Sequence, residues 1–212
     1  MTTFRTPPGR AGRLRLRHSL AVAERGAELL ERKHRILRAE HQRLLRAEEA
    51  AASAWHERLR EAEGWLLRGL LLSGEAALAA AVVGVAPADA TAHRTTSVGV
   101  RYPTDVTCAT PDRSPAVAAP ANTALVRAET AYREAVRAAA EHAATAAAVR
   151  IIGAEVLSTG QRVRALRRHW IPRLSEALAH TELTLEQNDF EDAVRRHWAS
   201  RDRQAGRPPG TR

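Results

Sequence analysis

Aromatic side chains are nearly missing from this sequence: Phe, Trp and Tyr together make 4% of 212 residues. The hydrophobic share is 44%, but alanine dominates it. A chain so poor in large apolar side chains is not expected to fill a thick globular core. A single cysteine, Cys108, excludes an intramolecular disulfide, and no Cys/His spacing resembles a zinc site. A reducing compartment is expected. Lysine is limited to Lys33, so arginine supplies nearly all of the positive charge. Long hydrophobic runs are also lacking. The most apolar run, residues 76–86, is about half the length a membrane-spanning helix needs, and the opening MTTFRTPPGR has no signal-peptide core. Work at a membrane is therefore expected to run through other subunits. No glycine-rich phosphate loop, nucleophile elbow or metal quartet is present, so neither a cofactor nor catalysis by this chain alone is expected.

Proline is missing from Arg10 to Leu72, and alanine is the best helix former. The apolar stripe over this stretch reads Leu16, Leu20, Ala23, Ala27, Leu30, then Leu37, Leu44, Ala51 and Trp55. It advances by alternating steps of four and three, the spacing of a coiled-coil seam. His34, His41 and Glu48 interrupt it at seven-residue intervals and read as polar seam positions that fix register. Val22, Leu29 and Ile36 repeat alongside and widen the stripe. About sixty residues at 1.5 Å each give a helix of roughly 90 Å. Thr6-Pro7-Pro8-Gly9 is its start signal.

The pattern changes at Ser73-Gly74. A short helix is expected over residues 75–83, ended by residues 84–87. Two short β-branched runs follow, residues 97–102 and 105–109. Pro103-Thr104 separates them, which predicts a β-hairpin turning there. Pro111, Pro115 and Pro120 argue against helix, and Asn122 or Thr123 can cap a second long helix running to about Arg201. Its seam reads Val163, Leu166, Trp170 and then Ile171, Leu174, Leu178, Thr181 and Leu185. Pro172 removes a helical amide donor and crowds the preceding turn, so a bend is expected there.

The predicted fold is mainly all-α: a long antiparallel two-helix coiled coil with a small central insertion. The expected segments are a lead-in at 1–9, a helix at 10–73, the insertion at 74–121, a second helix at 122–203 and a disordered tail at 204–212. In this pairing Leu16 is expected near the end of the second helix and Leu37 near Pro172.

The net charge is +9, and a basic surface implies an acidic partner. The cluster Arg162, Arg164, Arg167, Arg168 and Arg173, together with Arg10, supplies the candidate partner contacts. Phosphate neutralisation is one possible use of such a cluster, but no aromatic interleaving accompanies it and no nucleic-acid motif is present.

Two stretches resemble one family. Pro8, Arg10, Leu14, Leu20, Gly26, Leu29, Leu30, Lys33 and Leu37 resemble the opening of the D subunit of the V-type and A-type rotary ATPases. Arg162, Val163, Ala165, Leu166, Ile171 and Pro172 resemble its second signature, and Leu185, Glu186, Glu191 and Arg195 its acidic-then-basic continuation. Val98, Val100 and Pro103 correspond to a Val-Pro element of its central region. The sequence departs from the pattern at Gly9, Arg167, Val194 and Trp198. The resemblance implies a central rotor shaft on the cytoplasmic face of the plasma membrane, transmitting torque in a proton-translocating ATPase or ATP synthase. It implies a hexamer of A and B subunits, the F subunit and the C subunit (d in eukaryotes) as partners. It also implies no bound nucleotide, no nucleic acid, and membrane contact only through other subunits. The competing reading is a stand-alone basic antiparallel coiled-coil scaffold or a nucleic-acid-binding protein.

Overall fold

The computed structural model describes residues 9–114 and 117–205, with side chains up to residue 201. The start signal at residues 6–8, Pro115 and the tail from Gly206 lie outside the described residues. The elements are α1 (Arg10–Val82), β1 (Asp89–Ser97), β2 (Val100–Ala109), α2 (Thr123–Ala165), a π-helical turn (Leu166–Trp170) and α3 (Ile171–Ala205). They are divided between two compact units, residues 33–159 and residues 1–32 with 160–212.

In the unit of residues 33–159, Leu37, Leu44, Tyr102, Ala148 and Ile152 form the core, with Val100, Val149 and Val156 against them. Leu37 therefore packs at Ala148 and Ile152, not near Pro172 as the heptad pairing predicts. Fully buried Ala62 and buried Ala124, Ala128 and Ala135 mark further close approach, which short side chains permit. Glycine does the same at one point. A Cβ on Gly69 would lie 2.5 Å from Leu125 Cδ2.

Asn122 fixes the start of α2. Its Oδ1 accepts the Leu125 amide at 2.8 Å, while Nδ2 donates to the Gly69 carbonyl at 3.1 Å and to Ser73 Oγ at 2.7 Å. One side chain thus caps α2 and ties it to α1. α1 breaks locally at Gly74, whose φ of 72° and ψ of 179° are not helical. This matches the change of pattern read at Ser73-Gly74. Arg113 holds the far end of α1 by donating to the Val83 carbonyl at 3.0 Å and pairing with Glu129 at 3.0 Å.

The hairpin is present, but it turns at Val98-Gly99 and not at Pro103-Thr104. Val98 and Gly99 both have positive φ, 48° and 80°, as a two-residue type I′ turn demands. Pro103 lies inside β2 opposite Arg94, and the ladder skips Thr104 between the pairs His93↔Asp105 and Arg94↔Pro103. A proline is compatible with a strand where its missing donor would face outward, and for that reason it does not mark the turn.

In the other unit, Leu16, Ala23 and Leu174 are buried, with Leu20, Ile171, Ala177 and Leu178 packed around them. Leu16 thus meets Leu174, well before the end of α3. The pair runs antiparallel, as Arg10 with Asp189, Arg17 with Glu182, and Glu31 with Arg167 show. α3 continues past Asp189 to Ala205, which is why Leu16 does not meet its end.

The expected disturbance at Pro172 takes the form of the π turn. The Ile171 amide donates to the Leu166 carbonyl, five residues back. Two causes converge on this turn. Proline cannot donate and crowds the carbonyl four residues earlier. The seam also carries one surplus residue, because Val163, Leu166 and Trp170 run in one phase and Ile171, Leu174 and Leu178 in the next. A π turn takes up one extra residue, after which Ile171 packs in the seam while Trp170 stays 45% exposed. Deleting Trp170 should restore a single seam phase, with a loss of about 1 kcal/mol or less in thermal unfolding. Deleting Ser175 should rotate Leu178 and Leu185 by about 100° off the seam and cost about 3 kcal/mol or more. Equal losses from the two deletions would contradict the phase argument.

Candidate partner-contact surfaces

The seam residues read from the sequence differ in burial. In the unit of residues 1–32 with 160–212, Leu16, Ala23, Ala27 and Leu174 are buried. Leu20, Leu30, Val163, Leu166, Ile171, Leu178 and Leu185 are half-buried there. In the other unit, Leu37 and Leu44 are buried.

All six arginines singled out as contacts are exposed. Three of them, Arg10, Arg167 and Arg173, are engaged within the chain. Arg167 donates through Nε to Glu31 Oε1 at 2.8 Å and through Nη2 to Oε2 at 3.2 Å. This two-point grip on a carboxylate suits the planar guanidinium, and the hydrogen bond donated to Glu31, together with the carboxylate's charge, raises the arginine's pKa. Arg10 meets Asp189 at 3.4 Å. Arg162, Arg164 and Arg168 have no ion pair among the described residues, so they present unneutralised charge to solvent. The sequence could not separate these roles, because an arginine's partner lies on the opposite helix.

Exposed apolar stripes are the feature that sequence reasoning misses. Val22, Leu29 and Ile36 are 48–60% exposed on α1, where their heptad spacing predicts a widened buried stripe. On α3, Leu183, Phe190, Val194 and Trp198 lie on one helical face at steps of seven, four and four, and all are exposed. Their spacing is visible in the sequence; their lack of cover is not.

The unit of residues 33–159 carries its own surface. Leu67, Leu71 and Leu72 are exposed. Beside them the Arg68 and Arg127 guanidiniums lie 4.5 and 5.1 Å from the centre of the Trp65 ring, within cation–π range. An 18-residue stretch of α1 is apolar and almost wholly unburied. Length and composition thus suffice for a membrane span, where the apolar run at residues 76–86 is by itself too short. Gly74 breaks the helix within this apolar region.

Polar contacts set the pairing in this unit. Lys33 Nζ meets Glu155 Oε1 at 2.9 Å, and Thr159, which is fully buried, donates to the same oxygen at 3.3 Å. His41 crosses to α2 over Gly153, where an added Cβ would come within 2.9 Å of Nε2. Trp55 stacks on His142 with ring centres 5.3 Å apart. Among the described residues, no group of His, Cys, Asp and Glu could hold a metal ion.

The hairpin is moored by Tyr102, whose hydroxyl donates to Glu40 Oε1 at 2.7 Å. Arg43 donates to both Glu40 oxygens, at 2.6 and 3.0 Å. The Arg43 hydrogen bond, more than the Tyr102 one, holds the Glu40 carboxyl below its ordinary pKa against the opposing effect of burial. Burial chiefly, and then Glu40, push the Tyr102 hydroxyl up. A depressed carboxylate contributes stability that is present above its unfolded pKa and lost as pH falls through the folded one. The wild type should therefore lose stability as pH drops below about 4. Tyr102→Phe should reduce that acid-limb loss while lowering stability at neutral pH by about 1 kcal/mol. Thermal midpoints measured from pH 3 to 7 check both.

The model of a family described as the D subunit of ATP synthase matches residues 13–201. A V-type ATP synthase D subunit from Thermus thermophilus is 31% identical over 192 residues, 89% of this chain and 84% of the relative; proteins from two strains give the same values. A V-type ATP synthase D subunit from an Anaeromyxobacter species is 31% identical over 199 residues, 90% of this chain and 91% of the relative.

Proposed function

We propose that this chain, which belongs to the family of ATP synthase D subunits, is a torque-transmitting shaft. In this reading it turns in the central stalk of a V-type or A-type ATPase or ATP synthase, and is itself non-catalytic. The observation that carries the proposal is the match over residues 13–201, on a chain whose helices pair antiparallel within each unit. A torque-bearing element needs helices that cannot slide past one another and faces that differ, so that each surrounding site meets a different face as the element turns. The sliding is opposed by paired charges such as Arg167 with Glu31 and Lys33 with Glu155. The surface differs from place to place through exposed arginines flanking Val163 and exposed apolar stripes on α1 and α3.

The proposed neighbours are a hexamer of A and B subunits around Arg162, Arg164 and Arg168, the F subunit against the shaft, and the C subunit (d in eukaryotes) coupling it to the membrane ring. The exposed Leu67, Leu71 and Leu72 favour a protein contact of that last kind. In this reading the chain reaches the membrane only through other subunits, on the cytoplasmic face of the plasma membrane.

Tagged chain drawn from native membranes should bring A and B subunits with it; recovery only as a free monomer overturns the proposal. Reversing charge at Arg162, Arg164 and Arg168 together should lower ion pumping per ATP hydrolysed by about half or more, if each contact contributes on the scale of an exposed ion pair. Arg167→Glu, by contrast, should be rescued by Glu31→Arg. Unchanged coupling in the triple variant would remove these arginines from the contact.

A further inference from the structure

The two-stranded sheet has two edges, and only one is defended. In a two-residue hairpin the closing pair, here Ser97↔Val100, exchanges both ladder hydrogen bonds, and bonded and non-bonded pairs alternate from there. Arg94↔Pro103 is then a non-bonded pair, which agrees with a proline that has no donor. It follows that Ala90, Ala92, Arg94 and Thr96 of β1 direct their amides and carbonyls away from β2, as do Arg101, Pro103, Val106 and Cys108 of β2.

On β2 three devices close that outward row. Pro103 lacks an amide, Thr104 is the surplus residue of a bulge, and the Val106 amide is taken by Asp105 Oδ1 at 2.8 Å. Proline and bulges are the means by which sheet edges are kept from pairing. β1 carries none of these. It has nine residues without proline or lysine, rich in threonine and alanine, and residues 89–94 and 96 are all exposed. Its outward amides have no backbone acceptor among the described residues. The turn adds a second sign. Val98, a β-branched residue, is held at φ 48° and is 40% exposed, a conformation that asparagine or glycine would adopt with less strain.

We propose that β1 is an interaction edge, to which a companion subunit of the rotary assembly adds an extended segment as a third strand. The match is made by backbone, as in other cases of strand addition. The face of the hairpin turned away from Tyr102 carries Arg94 and Arg101, both exposed, so the added segment bears carboxylates beside that edge. The identity of the companion as an ATPase subunit rests on the shaft reading; the open edge does not.

The test uses the full chain, alone and assembled with the soluble subunits of its own ATPase, read by amide hydrogen exchange. Assembly should slow exchange at Ala90, Ala92, Arg94 and Thr96 by about tenfold or more, the scale of one protecting hydrogen bond. Ala92→Pro, which removes an outward amide but no ladder bond, should weaken assembly by a similar factor while leaving the free chain's thermal midpoint within error. Arg94→Glu should weaken assembly as well. Intact assembly with unchanged exchange at the four amides overturns the edge proposal and leaves the shaft reading standing. Failure of the wild-type chain to assemble with any of those subunits overturns both. Dimerisation of the free chain that Ala92→Pro abolishes would make a second copy the occupant and would likewise overturn the companion-subunit assignment.

Discussion

Alanine-rich stripes release little free energy per residue when buried, so helices that carry them stabilise each other only if their axes come close. That one constraint governs the rest of the structure. It explains why Ala27, Ala62 and Ala148 are fully buried while larger apolar groups stand in solvent, and why Gly69 and Gly153 lie where a Cβ would collide with Leu125 and His41. Each large buried side chain, such as Leu37 or Ile152, then acts as a peg within a thin seam. Since a thin seam discriminates poorly between registers, polar and charged contacts across it must do so. His41 over Gly153, and Lys33 with Glu155, supply this in one unit; Arg167 with Glu31 and Arg17 with Glu182 supply it in the other.

The helices are legible in the sequence because their evidence is local. Heptad spacing, the lack of proline, Gly74 as a break and Asn122 as a cap all act within a few residues of themselves. Pairing is less legible. Placing Leu37 opposite Pro172 assumes that the two helices meet end to end, whereas α3 continues past Asp189, the partner of Arg10. The hairpin shows the same limit. Pro103 looks like a turn residue because a sequence does not reveal which backbone amides a ladder requires. Val98-Gly99 escapes notice because valine is rare at positive φ.

Trp170 shows how a correct local pattern can give a wrong neighbourhood. Its spacing from Leu166 suits a seam, and so does the spacing of Leu174 from Ile171, but the two runs differ in phase by one residue. Only the π turn reconciles them, and it leaves the tryptophan half in solvent. The arginine cluster divides in a comparable way. Five arginines close in sequence look equivalent, yet Arg167 is gripped by Glu31 while Arg162, Arg164 and Arg168 lack an ion pair among the described residues. Family resemblance lies in the residues of both long helices, and the match over residues 13–201 supports the assignment drawn from them.

The single lysine has a chemical consequence of its own. Lys33 is the only side-chain primary amine in the sequence, and its ammonium is held against Glu155 with about a quarter of the side chain exposed. Reagents and enzymes that target amines therefore find one slow side-chain site here, whereas guanidinium and carboxylate groups line the surface. A lysine-directed cross-linking map of any assembly containing this chain would pass over it almost in silence, and chemistry aimed at acidic residues would be needed to reveal its neighbours.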